Sequence, residues 1–71
     1  MKRDLGDISI PDRRKLIDSW VYSERDRRIL HRRLCDGVKY EDLEAETGLT
    51  TRRLKDIVYQ YIDYLKNKEP G

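Results

Sequence analysis

Hydrophobic residues recur at helical spacing in four stretches of the chain, and this pattern predicts four helices. Leu16, Ile17, Trp20 and Val21 lie three and four residues apart and predict a first helix over about residues 11 to 21. The second predicted helix, residues 23 to 36, carries Ile29, Leu30 and Leu34, and a short third one covers residues 40 to 47. The last, residues 51 to 66, has the clearest apolar face, formed by Leu54, Ile57, Val58, Tyr61, Ile62 and Leu65. No stretch alternates with period two, so the sequence predicts an all-α domain without strands.

Polar and glycine residues mark the ends of these helices. Ser9, Ser23 and Thr50 stand where a hydroxyl can accept a hydrogen bond from a free amide of the first turn. Gly37 and Gly48 follow the second and third helices, where a left-handed backbone conformation ends a helix at little cost. The predicted domain therefore covers residues 11 to 66, with a flexible lead-in of residues 1 to 10 and a tail of residues 67 to 71. Trp20 is expected in the core.

Length and charge narrow the class of protein. The 71 residues allow one small domain, and 16 basic against 14 acidic residues leave a net charge of only +2. Cys35 is the single cysteine, so no internal disulfide can form, which favours a reducing, cytoplasmic setting. No apolar run is long enough to span a bilayer, and no signal sequence follows Met1.

Catalytic and metal-binding patterns are missing from the sequence. There is no Gly-rich phosphate loop, and the chain lacks a base paired with a nucleophile, so we expect neither an enzyme nor a small-molecule substrate. His31 and Cys35 lie one helical turn apart, but a structural zinc site needs more ligands than these two supply. We therefore expect no metal and no cofactor.

The third and fourth predicted helices, with the Gly48-containing turn between them, have the sequence form of a helix-turn-helix at about residues 40 to 65. The second helix of such a pair projects its N-terminal side chains, and Arg, Gln and Asp are groups that contact base edges. We expect DNA contacts from the outward face and start of this helix: Thr50, Thr51, Arg52, Arg53, Lys55, Asp56, Tyr59 and Gln60. Arg25, Arg28 and Arg32, on the outward face of the second helix, are candidate phosphate contacts. The alternative for both faces is an ordinary solvated surface.

The order of motifs resembles a known family. The run from Ser23 to Leu30 is followed by Arg33-Leu34, Asp36-Gly37, Tyr40-Glu41-Asp42-Leu43 and Gly48-Leu49-Thr50. Over about residues 12 to 66 this order is similar to the fourth conserved region of bacterial sigma factors and to short phage regulators built on that helix-turn-helix. The resemblance implies a helical DNA-binding domain whose last helix enters the major groove, and a contact with RNA polymerase.

One position departs from that pattern. The residue after Leu43 is usually alanine, where the paired helices approach closely, and here it is Glu44. Glu44 is then either a partly desolvated charge between the helices or the ion-pair partner of Arg33 or Arg53. Arg33 itself is expected to bridge to Glu41, Glu44 or Glu46 rather than to contact DNA.

These observations predict a small transcriptional regulator, of phage or mobile-element type, that binds double-stranded DNA in a sequence-specific manner. The alternative is a protein-interaction or inhibitor module on the same scaffold, with RNA polymerase or a nuclease as partner. The acidic helix of residues 40 to 47 fits that alternative, since it can meet a basic protein. A homodimer spanning two half-sites is a further open alternative, with Leu5, Ile8, Ile10 and Tyr64 as the contact.

Overall fold

The computed structural model describes residues 8–68 and places four helices in this part of the chain. They are α1 (Ile10–Trp20), α2 (Glu24–Leu30), α3 (Tyr40–Thr47) and α4 (Thr51–Lys66), and a π-helical segment, His31–Cys35, continues α2. No strand occurs among residues 8–68. The all-α class predicted from the sequence is confirmed. Residues 1–7 and 69–71, which include Leu5, lie outside the described residues.

The predicted helix starts are confirmed by their capping bonds. The Ser9 and Ser23 hydroxyls accept from the amides of Asp12 and Asp26, each at 3.4 Å. Thr50 Oγ1 accepts from the amide of Arg53 at 3.2 Å. Each cap satisfies one of the amides that the first turn of a helix leaves without an intrahelical partner.

The predicted helix ends are confirmed at Gly37 and Gly48, which have φ of 72° and 77°. The second helix differs from the prediction before it reaches Gly37. Over His31–Cys35 its hydrogen bonds widen, so that the Asp36 amide donates to the His31 carbonyl at 3.1 Å. The hydrophobic pattern could not reveal this change, because Ile29, Leu30 and Leu34 are buried with the widened turn in place.

One core collects apolar side chains from all four helices. Ile17, Val21, Leu30, Leu54 and Leu65 are fully buried. The other buried apolar residues are Ile8, Leu16, Ile29, Leu34, Leu43, Ile57, Val58 and Ile62. Helices this short are marginal in isolation, so their stability depends on sharing this core. Ile8, which the sequence analysis assigned to the flexible lead-in, is one of its members.

Trp20 is not a core residue, and its prediction was wrong. It is 37% exposed, whereas Ile17 and Val21 on the same helical face are fully buried. Trp20 is the last residue of α1, and its ring lies at the surface with Lys68 Nζ 4.9 Å from the ring centroid. The helix therefore docks through its aliphatic residues.

Two substitutions in α1 test this assignment. Ile17→Ala removes a fully buried side chain and should lower the free energy of unfolding by about 2–5 kcal/mol. Trp20→Ala should cost less than Ile17→Ala, because 37% of Trp20 is already in water and its removal at the surface leaves no closed cavity. Urea denaturation of both variants measures the difference; an equal or larger loss for Trp20→Ala would contradict the assignment.

Candidate nucleic-acid interface

The turn between α3 and α4 is held by a carboxylate. Glu44 Oε2 accepts from the amide of Thr51 at 2.5 Å and from its hydroxyl at 2.7 Å. The Thr47 hydroxyl donates to the Leu43 carbonyl at 2.7 Å and accepts from the Leu49 amide at 3.2 Å. These bonds tie the end of one helix to the start of the next across a three-residue connection.

Glu44 therefore has neither of the two roles expected from the sequence. It does not pair with Arg33 or Arg53, and it is not a charge without compensation. Its side chain caps α4, where the aligned peptide dipoles favour a negative charge. The two hydrogen bonds from Thr51 stabilise the ionised form and lower the pKa of Glu44.

This arrangement changes the role of Thr51. Both of its donors are bound to Glu44, so they do not offer the phosphate contact that the sequence suggested. The Thr50 hydroxyl is likewise used as a helix cap, although Thr50 itself is exposed. The donors of Thr51 are thus engaged within the chain, whereas the O–H proton of Thr50 is not used by the capping bond, in which the hydroxyl is the acceptor.

Most of those side chains project into solvent. Arg52, Arg53, Lys55, Asp56 and Gln60 are all exposed, opposite the buried face of α4. Within residues 8–68, the side chains of Arg52, Arg53, Asp56 and Gln60 form no hydrogen bond or ion pair. The exposed face of α4 is therefore free to contact a ligand.

Tyr59 differs from its prediction. It is half-buried and packs against the core rather than pointing outward. It belongs to a cluster around Tyr40, whose ring centroid lies 4.4 Å from the Arg33 guanidinium carbon and 5.6 Å from Lys55 Nζ. Burial raises the pKa of Tyr40, and a hydrogen bond with Tyr59 adds to this, while Arg33 opposes it. Lys55 thus has an aromatic contact inside the domain, on the flank of the exposed face.

Arg33 also differs from its prediction. It donates to the Val38 carbonyl at 3.0 Å and stacks on Tyr40, and it forms no bridge to Glu41, Glu44 or Glu46. One of the three acids expected to pair with Arg33, Glu46, is bound by the neighbouring Arg32, which donates to it at 2.8 and 3.1 Å. This pair lowers the pKa of Glu46 and raises that of Arg32.

The three candidate phosphate contacts on α2 and its π-helical extension differ in how far their charge is compensated. Arg25 is bound to Asp26 at 3.1 Å, and that carboxylate also accepts from the Tyr61 hydroxyl at 2.9 Å. Arg32 is bound to Glu46 and to Asp36. Arg28 is exposed and has no ion pair within the described residues. Of these three, only Arg28 forms no direct ion pair, although it lies near enough to Glu46 to help lower the pKa of that carboxylate.

His31 and Cys35 lie next to each other, as their spacing predicts. His31 Nε2 is 2.8 Å from Asp18 Oδ1, and its Nδ1 is 3.9 Å from Cys35 Sγ. Burial raises the pKa of the Cys35 thiol, which keeps it protonated at neutral pH. In residues 8–68, no cluster of three or more His, Cys, Asp or Glu side chains is placed to hold a metal ion.

Sequence reasoning missed Arg14, which borders the α2 face, and did not select Arg27 among the candidate contacts. Arg14 is bound to Asp36 at 3.2 Å, and Arg27 donates to the Val21 carbonyl at 2.9 and 3.1 Å. Arg14 belongs to a different helix, so no spacing rule connects it with α2. Only the docking of α1 on the π-helical segment brings it there.

Comparison with known proteins identifies no relative: no family model, no curated protein and no solved structure matches the chain. The resemblance to sigma factors therefore remains a prediction from the sequence. No helix among residues 8–68 has both the length and the apolar character needed to cross a membrane.

The cap formed by Glu44 predicts a pH-dependent stability. Because the folded state lowers the pKa of Glu44 below its ordinary value of 4.5, the stabilisation is present above that value and is lost as the pH falls through the folded-state pKa. Glu44→Ala should therefore melt at a lower temperature than wild type at pH 7, with a smaller difference at pH 3.

Glu41→Ala is the matched control, since Glu41 is an exposed glutamate of α3 whose side chain forms no hydrogen bond or ion pair within residues 8–68. Its melting temperature should stay closer to wild type at both pH values. A Glu44→Ala variant more stable than wild type would show that the charge is not stabilised by Thr51.

Proposed function

We propose that this domain binds double-stranded DNA in a sequence-dependent manner through the exposed face of α4. In this proposal α3, the turn and α4 form a helix-turn-helix, and the protein acts as a small transcriptional regulator of phage or mobile-element type. Binding alone is its mechanism, since regulation requires only that the domain occupy its site.

The observation that carries the proposal is the contrast between the two faces of α4. One face is buried, with Leu54, Ile57 and Val58 at most 5% exposed. The other presents Arg52, Arg53 and Gln60 without internal partners. An α-helix fits the major groove of DNA, and a rigidly docked helix holds such side chains in fixed register.

The chemistry of these side chains suits base and phosphate contacts. Arginine can donate two hydrogen bonds to guanine, and glutamine pairs in the same way with adenine. Asp56 repels phosphates, but its carboxylate can accept from the amino group of cytosine. In this proposal Arg53 and Lys55, on the flanks of the face, contact phosphates, while Arg52, Asp56 and Gln60 face the bases.

A second candidate function is supported by two other surfaces, one acidic and one aromatic. Glu41 and Asp42 of α3 are exposed and unpaired within residues 8–68, and Trp20, Tyr22 and Tyr64 expose aromatic rings. Aromatic residues are enriched at protein interfaces, and an acidic helix suits a basic partner such as a surface of RNA polymerase or a nuclease. In this case binding to a protein should be lost when Glu41 and Asp42 are reversed to lysine, while Arg52→Ala has no effect.

The DNA proposal is tested by selecting bound sequences from a random duplex pool and measuring their affinity by fluorescence anisotropy. Arg52→Ala should weaken the selected site by about 1–3 kcal/mol and relax the base preference at one position. Circular dichroism should be unchanged, because Arg52 is exposed and its side chain has no internal partner.

Lys66→Ala is the matched control, since it removes one exposed positive charge in the last turn of the same helix. It should keep the base preference of wild type. If selection yields no preferred sequence, or if Arg52→Ala binds that sequence like wild type, α4 does not read the major groove.

A further inference from the structure

Arginine side chains from two helices surround an open cleft between α1 and α2. The cleft has a volume of about 460 Å³, and its lining comprises Arg14, Glu24, Arg27, Arg28, His31 and Arg32. Four arginines thus line the cleft beside one glutamate, while Asp36 and Glu46 are bound to two of the arginines and Asp18 lies beside His31.

The partners of these arginines decide how much of that charge is available. Arg14 and Arg32 share Asp36, at 3.2 and 3.4 Å, and Arg32 also holds Glu46. Arg27 donates only to a neutral acceptor, the Val21 carbonyl, and Arg28 has no ion pair in the described chain. Glu24 lies one helical turn before Arg28, yet no salt bridge joins them. Arg27 and Arg28 are therefore the two arginines of the cleft without a direct ion pair, and the nearest acid that senses Arg28 is Glu46, whose own charge is bound to Arg32.

The same contacts hold the cleft in shape. The Nε and Nη2 groups of Arg27 are fixed on Val21, which leaves its Nη1 group to donate elsewhere. Asp36 holds Arg14 and Arg32 at the borders, and each of these guanidinium groups retains unused N–H donors. Side chains that are already positioned lose less conformational entropy when they bind an anion. Guanidinium donors match phosphate oxygens in geometry and charge.

A second cavity extends this surface toward the start of α4. It has a volume of about 370 Å³, shares Glu24, Arg28 and Arg32 with the first, and continues along α3 to Glu46 and Thr47. Thr47 is the last residue of α3 and directly precedes the turn into α4. The two cavities are therefore adjacent and together longer than one small ion requires, although Glu46 makes the α3 end of the second cavity acidic.

We propose that the cleft between α1 and α2 binds a backbone phosphate of double-stranded DNA through Arg27 and Arg28. The assignment of DNA as ligand rests on the proposed function; the anion site itself rests on the cleft. Its contribution is independent of base sequence, because phosphates are the same at every position. It anchors the duplex beside α4 and supplies affinity that the nearly neutral chain otherwise lacks.

The test measures the salt dependence of binding to a duplex of arbitrary sequence, with the full chain. Arg28→Gln should lower the affinity roughly tenfold at low salt and reduce the slope of log K against log salt by about one unit. Lys66→Gln removes the same charge outside both cavities and should leave the slope unchanged. Arg28→Lys keeps the charge and should retain most of the slope, which separates loss of charge from a change in the helix.

Inorganic pyrophosphate is the second probe and separates this proposal from the function of α4. In the wild-type protein it should shift the amide resonances of Arg27, Arg28 and His31, and Arg28→Gln should abolish the shifts. If the duplex binds and the slope of log K against log salt is the same for Arg28→Gln as for Lys66→Gln, the cleft proposal is overturned. The α4 proposal is unaffected by that result. If the duplex does not bind but pyrophosphate shifts these resonances, the anion site stands and DNA binding fails. If neither ligand binds, both are overturned.

Discussion

The carboxylate of Glu44 accepts both donors of Thr51 and thereby joins the end of α3 to the start of α4. The orientation of α4, and with it every candidate contact on its exposed face, depends on this joint and on the buried residues beneath it. A negative charge at this point also satisfies the positive end of the α4 dipole. An anionic ligand consequently gains little at the helix terminus, and the proposed DNA contacts depend chiefly on the side chains from Arg52 onward.

Arginines in this domain divide into a structural group and an available group. Arg13, Arg27 and Arg33 donate to backbone carbonyls at Ile8, Leu34, Val21 and Val38, which lie where helices end or turns begin. Such carbonyls need partners when they are removed from water, and a long guanidinium group can reach them across a turn. Because the single cysteine cannot form an internal disulfide, these bonds contribute to the cohesion of the domain. Arg28, Arg52 and Arg53 remain outside this network, and Arg27 belongs to both groups because its Nη1 group is not used by the Val21 carbonyl.

The surface near the end of α4 has a different character. Tyr61 donates to Asp26 and packs edge-on against Tyr64, with the ring centroids 6.5 Å apart. Lys68 Nζ lies 4.9 Å from the centroid of Trp20 and 5.3 Å from that of Tyr64. The aromatic side chains thus form a local cluster around a lysine, and they are not spread along α4 as a platform for stacked bases. The two ends of α4 therefore offer separate surfaces, one polar and charged, the other aromatic.

Local sequence determined the helices of this protein and most of their ends. Apolar spacing identified the buried residues of α4. Helices begin after Ser9, Ser23 and Thr50 and end before Gly37 and Gly48, as expected, because capping and glycine conformation act over a few residues. Only the tertiary structure decided the partners of the charged residues. Glu44 accepts a hydrogen bond from Thr51, and Arg32 forms a salt bridge with Glu46. Arg14 and Arg32 both bind Asp36. A long charged side chain can reach several neighbours, so the docking of the helices decides which of them it contacts. The same docking left Trp20 at the surface, because the fully buried Ile17 and Val21 already fill the core beneath α1.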